Sequence, residues 1–525
     1  MKLTFISPSP PDLYSPGIRI LSSYLKQHGH QVRMIFLPGG VEHLNFESSF
    51  IYQYKDSIIK EVIELSKDSD LIGISFMTLY FDRAVQLTKR LKQALDIPIS
   101  WGGIHPTLRP EEALEYADMV CVGEGEEAVL ELCNKINEHK DYTDTAGFWF
   151  KVGDKIIKND IRPLIEDLDS LPFQDYTLED DYVYSIFEDK MVKITNEFFE
   201  KISMVAPDLK GNFFPSYKVM TTRGCPHNCS YCCSSVLKNQ LYPKKYLRRR
   251  SVENVMLELE DIKRRFPYIG VILIFDDVFF MASKEYIQEF ASEYKKRIAL
   301  PFHAQCSPTT TDEDKLEILM DAGLIFVEMG IQTGSKSTQK LFDRTFSNDR
   351  ILQAACAIGK YSDRMLSPCY HIILDIPWES DEETLETLKL IMQLPRPYWL
   401  KFSSLIFFPE TGLYHLAKKE GLITDELKDV YRKPFTYPSG KYVNYLVYLS
   451  GFCYFPRWVS RILITKPLFN FFSNKKFNKM FLILFKITEV IAKVGKGFRA
   501  LFTGKFAYLG KQVSLRIADL SKGSR

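Results

Sequence analysis

Along the first 140 residues, short apolar runs alternate with stretches in which apolar residues recur every three or four positions. The runs LTFIS (3–7), QVRMIFL (31–37), LIGISF (71–76), IPISW (97–101) and MVCVG (119–123) read as strands, and 18–29 and 84–95 as amphipathic helices between them. Strand and helix in alternation predict an α/β unit, a doubly wound parallel sheet, over residues 1–142. Ligands of such sheets bind outside the carboxyl ends of the strands. Small and turn-forming residues collect at those ends: the run Ser7 to Pro11, Ser75, Gly102, Gly103, Gly123, Glu124 and Gly125. Turn chemistry accounts for any one of these glycines, but together they predict a ligand crevice. No GxGxxG opens the first helix, so a standard dinucleotide site is not indicated.

Residues 143–214 read as a hairpin turning at Gly153-Asp154 followed by a linker with acidic and proline punctuation. A second series of strands begins at 217–222 and continues through 271–277, 302–307, 324–331, 369–376 and 399–408. Helical patterns such as 251–266 and 312–323 separate them. Six strand–helix units predict a partial or full βα barrel over 215–410, with its chemistry at the carboxyl ends of the strands. Residues 411–525 become helical and then basic.

Charge changes this picture only at the end of the chain. The formal net charge of the 525 residues is +2, but residues 431–525 hold 18 Lys and Arg against 2 Asp and Glu. The first 430 residues are left with 50 against 64. Such segregation argues against a nucleic-acid binder and for one basic, aromatic-rich appendage that meets an acidic surface. Over 440–510, apolar and aromatic residues alternate with Lys and Arg at near-helical spacing, as in interfacial amphipathic helices. An anionic membrane surface is therefore the expected partner of this segment, the other reading being a helical cap on the barrel. The longest uncharged stretch there, 442–456, has 15 residues and is too short to span a bilayer. The N-terminus lacks the apolar core and cleavage site of a secretory signal, so a cytoplasmic protein, peripheral to the inner face of the membrane, is expected.

Four of the ten cysteines crowd into nine positions, in TTRGCPHNCSYCCSS. Cys225, Cys229 and Cys232 form CxxxCxxC directly after the first strand of the second series. Soft thiolates at this spacing suit an iron-sulfur cluster, and three ligands leave one iron open to a substrate. A zinc reading would recruit His227 or Cys233 as a fourth ligand. Cys233, adjacent to Cys232, is expected to point elsewhere.

This loop and its position resemble the radical SAM superfamily. The resemblance implies a partial (βα)6 barrel and a 4Fe-4S cluster whose open iron chelates S-adenosylmethionine (SAM). One electron then cleaves the sulfonium to methionine and a 5'-deoxyadenosyl radical, which demands a dry cavity. It implies a one-electron donor such as ferredoxin or flavodoxin. By position, Asp276 and Asp277 at the second strand end, and Glu328 and Gln332 in the fourth, would contact SAM. LDIPWES (374–380) resembles the family's glycine-proline-glycine-glutamate turn, with Asp375 and Trp378 replacing the glycines.

Upstream, GGIHPTLRPEE (102–112) and VCVGEGEEAVLEL (122–132) resemble the cobalamin-binding domain of cobalamin-dependent radical SAM proteins. Ser75, Gly102, Gly103, Gly123, Glu124 and Gly125 would then meet the corrin. The DxHxxG motif is absent, so no protein histidine is expected on the cobalt, and His105 reads as structural. The resemblance implies methylation of an unactivated carbon, and the basic, membrane-facing tail predicts a small, hydrophobic, lipid- or pigment-like substrate. Related enzymes without net methylation, an oxidoreductase, cyclase or carbon-carbon coupling enzyme, are the runner-up, and a non-catalytic cobalamin or iron-sulfur sensor is the reading from another class.

Overall fold

The computed structural model describes residues 1–8, 13–38, 53–185, 188–243, 246–277, 279–344, 346–433, 439–452 and 455–502. Residues 9–11 of the first strand-end loop and 503–510 of the basic tail lie outside the described residues.

The first sheet has nine strands in the order β7-β6-β5-β4-β3-β1-β2-β8-β9. Its centre is parallel: β1 (Lys2–Ser7), β2 (Gln31–Phe36), β3 (Leu71–Ser75), β4 (Ile99–Gly102) and β5 (Met119–Cys121). These strands are almost continuously apolar because both faces are covered. Leu3, Phe5 and Leu71 pack with Ile18, Leu25, Val129 and Leu132 on one side. Ile6, Ile72 and Ile74 pack with Ile58, Val62, Leu87 and Leu91 on the other. Because β1 lies between β2 and β3, strand order reverses there, which is where sheets of this kind bind ligands, beyond the carboxyl ends of the strands.

Residues 143–214 do more than connect. β6 (Phe148–Val152) and β7 (Lys155–Lys158) form the hairpin at Gly153-Asp154. β8 (Asp181–Ser185) then returns to the opposite edge, parallel to β2, and β9 (Lys190–Lys193) pairs with it antiparallel. The segment expected to be a linker thus completes the first sheet. Arg19 supplies a physical reason. It is fully buried, its guanidinium donates to the main-chain oxygens of Leu13 (3.1 Å) and Asp175 (2.6 Å), and it lies 3.6 Å from the Asp181 carboxylate. A buried guanidinium needs such partners, and only the returning chain brings Asp175 and Asp181 to it.

The second sheet opens on the short antiparallel strand β10 (Val205–Pro207), followed by β11 (Phe213–Val219). A separate ladder, β12 (Thr222–Arg223) with β13 (Arg248–Arg249), interrupts the sequence. β14 (Val271–Ile274), β15 (Phe302–Cys306), β16 (Leu324–Gln332), β17 (Cys369–Leu374) and β18 (Trp399–Ser404) complete a run of six parallel strands in sequence order. The sheet is a curled half-barrel with helices outside. Along β16, buried Val327, Met329 and Ile331 face the helices, so the partly exposed Phe326, Glu328, Gly330 and Gln332 face the lumen.

Helices Tyr442–Ser450, Arg457–Leu463, Lys466–Phe472 and Asn478–Phe502 follow. Tyr442 and Tyr445 pack on Phe481, and Tyr448 stacks on Phe485, holding the last helix to the barrel side. Among the described residues no helix is long and apolar enough to cross a membrane.

Candidate active site

The cysteine loop, residues 224–247, is closed at its base by the β12–β13 ladder. Gly224 enters it at φ +91°, and a Cβ there would lie 2.3 Å from the Tyr246 carbonyl oxygen, so the turn demands glycine. Asp276 fixes the loop to the barrel. It is fully buried, and its carboxylate accepts from the backbone N–H of Thr221 (2.6 Å) and Thr222 (3.1 Å) and from the Thr221 hydroxyl. Both its oxygens are thus engaged in joining the first two barrel strands. Asp277 faces the thiols instead, and its charge is felt by Cys225 and Cys232.

Cys229 is buried, and Cys225 and Cys232 are half-buried. Burial, then the charges of Asp277, Cys232 and Cys229, pushes the Cys225 thiol up to about 12. Burial likewise raises Cys232, with Asp277 and Cys229 adding to it. Burial and neighbouring negative charge thus keep the Cys225 and Cys232 thiols protonated unless a cationic metal compensates them, which suits an iron cluster with sulfur donors. Among the described residues, no three His, Cys, Asp or Glu side chains converge as around a single metal ion. Cys233 begins the short helix Cys233–Val236.

At the end of β16, Gln332 adopts φ +71°, a strained backbone for a residue with a side chain. It sits beside Arg344, which the sequence reading missed. The Arg344 guanidinium donates to the Gly330 carbonyl oxygen (2.9 Å) and lies 3.6 Å from Cys229 Sγ and 3.4 Å from Tyr231 Oη. Glu328 lies elsewhere, four residues or about 13 Å down the strand, on the lumen wall. Its carboxylate accepts from His371 Nε2 at 2.8 Å. Burial alone would raise Glu328, but that hydrogen bond and the charges of His371, Lys401 and His303 outweigh it and hold the group below the usual carboxylate range. Glu328 is therefore not brought to the cysteine rim with Gln332.

The departure at Asp375 in LDIPWES has a structural account. Asp375 takes φ +59°, the backbone that glycine takes readily, and its carboxylate accepts from Ser404 Oγ (2.7 Å), Ser439 N (2.8 Å), Asn444 Nδ2 (2.8 Å) and the Ser439 hydroxyl. Four hydrogen bonds offset the strain and tie the C-terminal segment to the barrel. Buried Glu379 accepts from Thr333, Thr338 and Thr384, joining the turns after β16 and β17.

In the first sheet, Ser75, Gly102 and Gly103 meet at the ends of β3 and β4. A Cβ on Gly103, at φ +94°, would lie 3.0 Å from Ser75 Oγ. Met77, two residues beyond Ser75, is exposed. His105 is not offered to a metal. It is fully buried among Phe76, Phe81 and Tyr431, its Nδ1 is 3.3 Å from Thr78 Oγ1, and burial pushes it down to about 3.

The other expected corrin contacts are occupied by protein. A Cβ on Gly123 would lie 2.0 Å from Tyr242 Oη, the hydroxyl to which Glu124 N donates. The Glu124 carboxylate accepts from Arg223 (3.1 Å), twice from Arg248 (2.7 and 2.9 Å) and from Ile165 N (3.2 Å). Glu126 takes the other arm of Arg223 at 2.6 Å. The Gly123–Gly125 turn is thus a clasp on the base of the cysteine loop, not a free hydrogen-bonding edge for a ligand. Gly125 meets Leu21 and Cys121.

Comparison with known proteins agrees with this arrangement. The radical SAM superfamily matches residues 219–391, and the B12 binding domain matches residues 4–133. An uncharacterized methyltransferase of Pyrococcus horikoshii is 25% identical over 78% of this chain and 79% of its own. The bacteriochlorophyllide d C-8(2)-methyltransferase of Chlorobaculum tepidum is 22% identical over 71% and 73%. Among solved structures, the radical SAM methyltransferase TsrM from Kitasatospora setae superposes with a TM-score of 0.59 at 16% identity, covering 80% of this chain and 75% of that one. The cobalamin-dependent SAM radical enzyme OxsB gives 0.61 at 15%, covering 83% and 64%. Two domains stand in this order, with three thiols on the loop after the first barrel strand: the chain carries a B12 binding domain followed by a radical SAM superfamily domain. It is an enzyme whose cofactors are a 4Fe-4S cluster, SAM and cobalamin.

Proposed function

We propose that this enzyme is a C-methyltransferase acting on a small hydrophobic substrate, with Cys225, Cys229 and Cys232 holding the cluster. The carrying observation is the juxtaposition of that thiol loop with the first domain, whose Glu124 and Glu126 grip Arg223 two residues before Cys225. When bound, the cofactors supply one-electron cleavage of a sulfonium and a transferable methyl group. The chain supplies the rest. Ser75, Gly102 and Gly103 would seat the macrocycle, and Asp277 and Gln332 would orient SAM at the rim. The half-barrel wall would exclude water from a reactive carbon.

Three relatives named as methyltransferases support methyl transfer. A hydrophobic substrate is supported by the lumen, where Phe275 and Trp399 remain exposed and Tyr14 meets Phe275 edge-on at 5.3 Å. Lys401 and the Glu328–His371 pair give the same lumen a polar end that would orient the substrate. A ferredoxin or flavodoxin would deliver the electron. Contact with an anionic membrane is supported by the last helix. Met480, Ile483, Ile487, Val490 and Ile491 form one exposed apolar stripe at helical spacing, flanked by exposed Lys475, Lys476 and Lys479.

The test is anaerobic turnover with SAM deuterated in its methyl group, with lipid and pigment extracts as substrate and mass spectrometry of products. Methyl transfer carries the label into product. A cyclase or coupling enzyme forms 5'-deoxyadenosine and unlabelled product, and a sensor forms neither.

A further inference from the structure

Arg344 is a largely buried cation that no acid neutralises among the described residues. Its Nη2 donates to the Gly330 carbonyl oxygen at 2.9 Å, its Nη1 points at Cys229 Sγ (3.6 Å) and Tyr231 Oη (3.4 Å), and its Nε is buried without a partner. It makes no ion pair among the described residues. An unpaired guanidinium is expensive to bury, so the site calls for an anion close to Cys229. The position is fixed from several sides. Phe342 packs on Tyr231 with ring centroids 4.7 Å apart, the Arg344 amide donates to the Gln339 carbonyl oxygen at 2.9 Å, and the guanidinium lies over Phe346 at 4.9 Å.

We infer that Arg344 is a positioning residue that sets the reduction potential of the iron-sulfur centre, by presenting a fixed positive charge and a hydrogen-bond donor to the Cys229 sulfur. The inference rests on the proposal that Cys229 is a cluster ligand. Hydrogen bonds to cluster sulfurs and the net charge around them set such potentials. The step concerned is the gain of one electron from an external donor, with no bond made or broken. The reduced centre carries one more negative charge, so a cation at this distance favours it and makes the electron easier to accept. Arg344→Gln removes the charge while keeping a polar side chain, and Arg344→Lys keeps the charge.

The test is a dithionite titration of the anaerobically reconstituted full chain without SAM, followed by electron paramagnetic resonance, with iron and sulfide counted in each sample. Arg344→Gln is expected to make one-electron reduction at least tenfold less favourable, a downward shift of about 59 mV. Arg344→Lys should fall between the two. An unchanged or higher potential in Arg344→Gln at full iron content overturns the inference. Should Arg344→Gln not take up iron, the unaltered chain labelled with nitrogen-15 arginine decides. A guanidinium nitrogen coupled to the reduced centre in double-resonance spectra supports the inference, and its absence overturns it. An unaltered chain that binds no iron-sulfur centre refutes the cysteine assignment as well, so the two failures are told apart by the iron count.

Discussion

Replacing Glu124 tests whether the two domains are joined through the base of the cysteine loop. Its carboxylate accepts four hydrogen bonds, three of them from Arg223 and Arg248, and the side chains involved are mostly buried, with Arg248 only 6% exposed. Removing one partner of a buried pair costs about 3–5 kcal/mol, because the other charge is stranded. Arg223 retains Glu126, so Glu124→Ala belongs near 3 kcal/mol, and Glu124→Gln, which keeps a hydrogen-bond acceptor, near 2 kcal/mol. The assay is a double-mutant cycle of Glu124→Gln with Arg248→Met, read by urea unfolding with tryptophan fluorescence and far-ultraviolet dichroism. Coupled groups in one network show interaction energies of roughly 0.5–3 kcal/mol. The pair should lie in the upper half of that range, and Arg248→Met alone should accelerate amide exchange in 119–127 and 222–249. Additivity within about 0.5 kcal/mol would refute the clasp. The pH dependence has a fixed sign. Burial raises the Glu124 carboxyl, but Arg248 and Arg223 outweigh it and hold it below its ordinary value. The stability it contributes is present above the unfolded carboxylate range and is lost as pH falls through the lower folded value.

Three further outcomes are expected. His105, a base pushed down to about 3, stays neutral in the folded chain while the unfolded chain binds a proton below about 6.5. Stability should therefore fall between pH 6.5 and 5 through this group, and the fall should shrink in His105→Gln when unfolding is followed across that range. Gly224→Ala, at φ +91° and facing the Tyr246 carbonyl oxygen, should cost more than about 1 kcal/mol by urea unfolding and impair iron uptake. Lys475, Lys476 and Lys479 each add about 1 kcal/mol at an anionic surface, so reversing all three to Glu should abolish co-sedimentation with phosphatidylglycerol vesicles. Unchanged sedimentation of that variant would remove the membrane proposal.

The strands were legible because their apolar runs reflect burial on both sheet faces, and the CxxxCxxC loop because its ligands are close in sequence. What the sequence concealed depends on pairing at long range. Glu124 read as a ligand contact, because its partners Arg223 and Arg248 lie 99 and 124 residues away. Asp276 read as a cofactor group because a strand-end carboxylate looks alike whether it meets a ligand or two backbone amides. β8 left no clear signal, since its place is set by residues far back in the chain, such as strand β2 and the buried Arg19 beside Asp181. Asp375 looked like a broken glycine motif, yet it holds the glycine backbone angle through bonds to Ser404, Ser439 and Asn444. Arg344 lies 115 residues from Cys229, and no local pattern marks it.

The central claim concerns three thiols and an open iron. The most direct measurement is iron counting with electron paramagnetic resonance on the anoxically reconstituted, reduced chain, before and after adding SAM. Four irons and a spectrum altered by SAM are expected, both lost when Cys225, Cys229 or Cys232 is changed to Ala and both kept in Cys233→Ala. Zinc in place of iron, or a spectrum indifferent to SAM, would contradict the account.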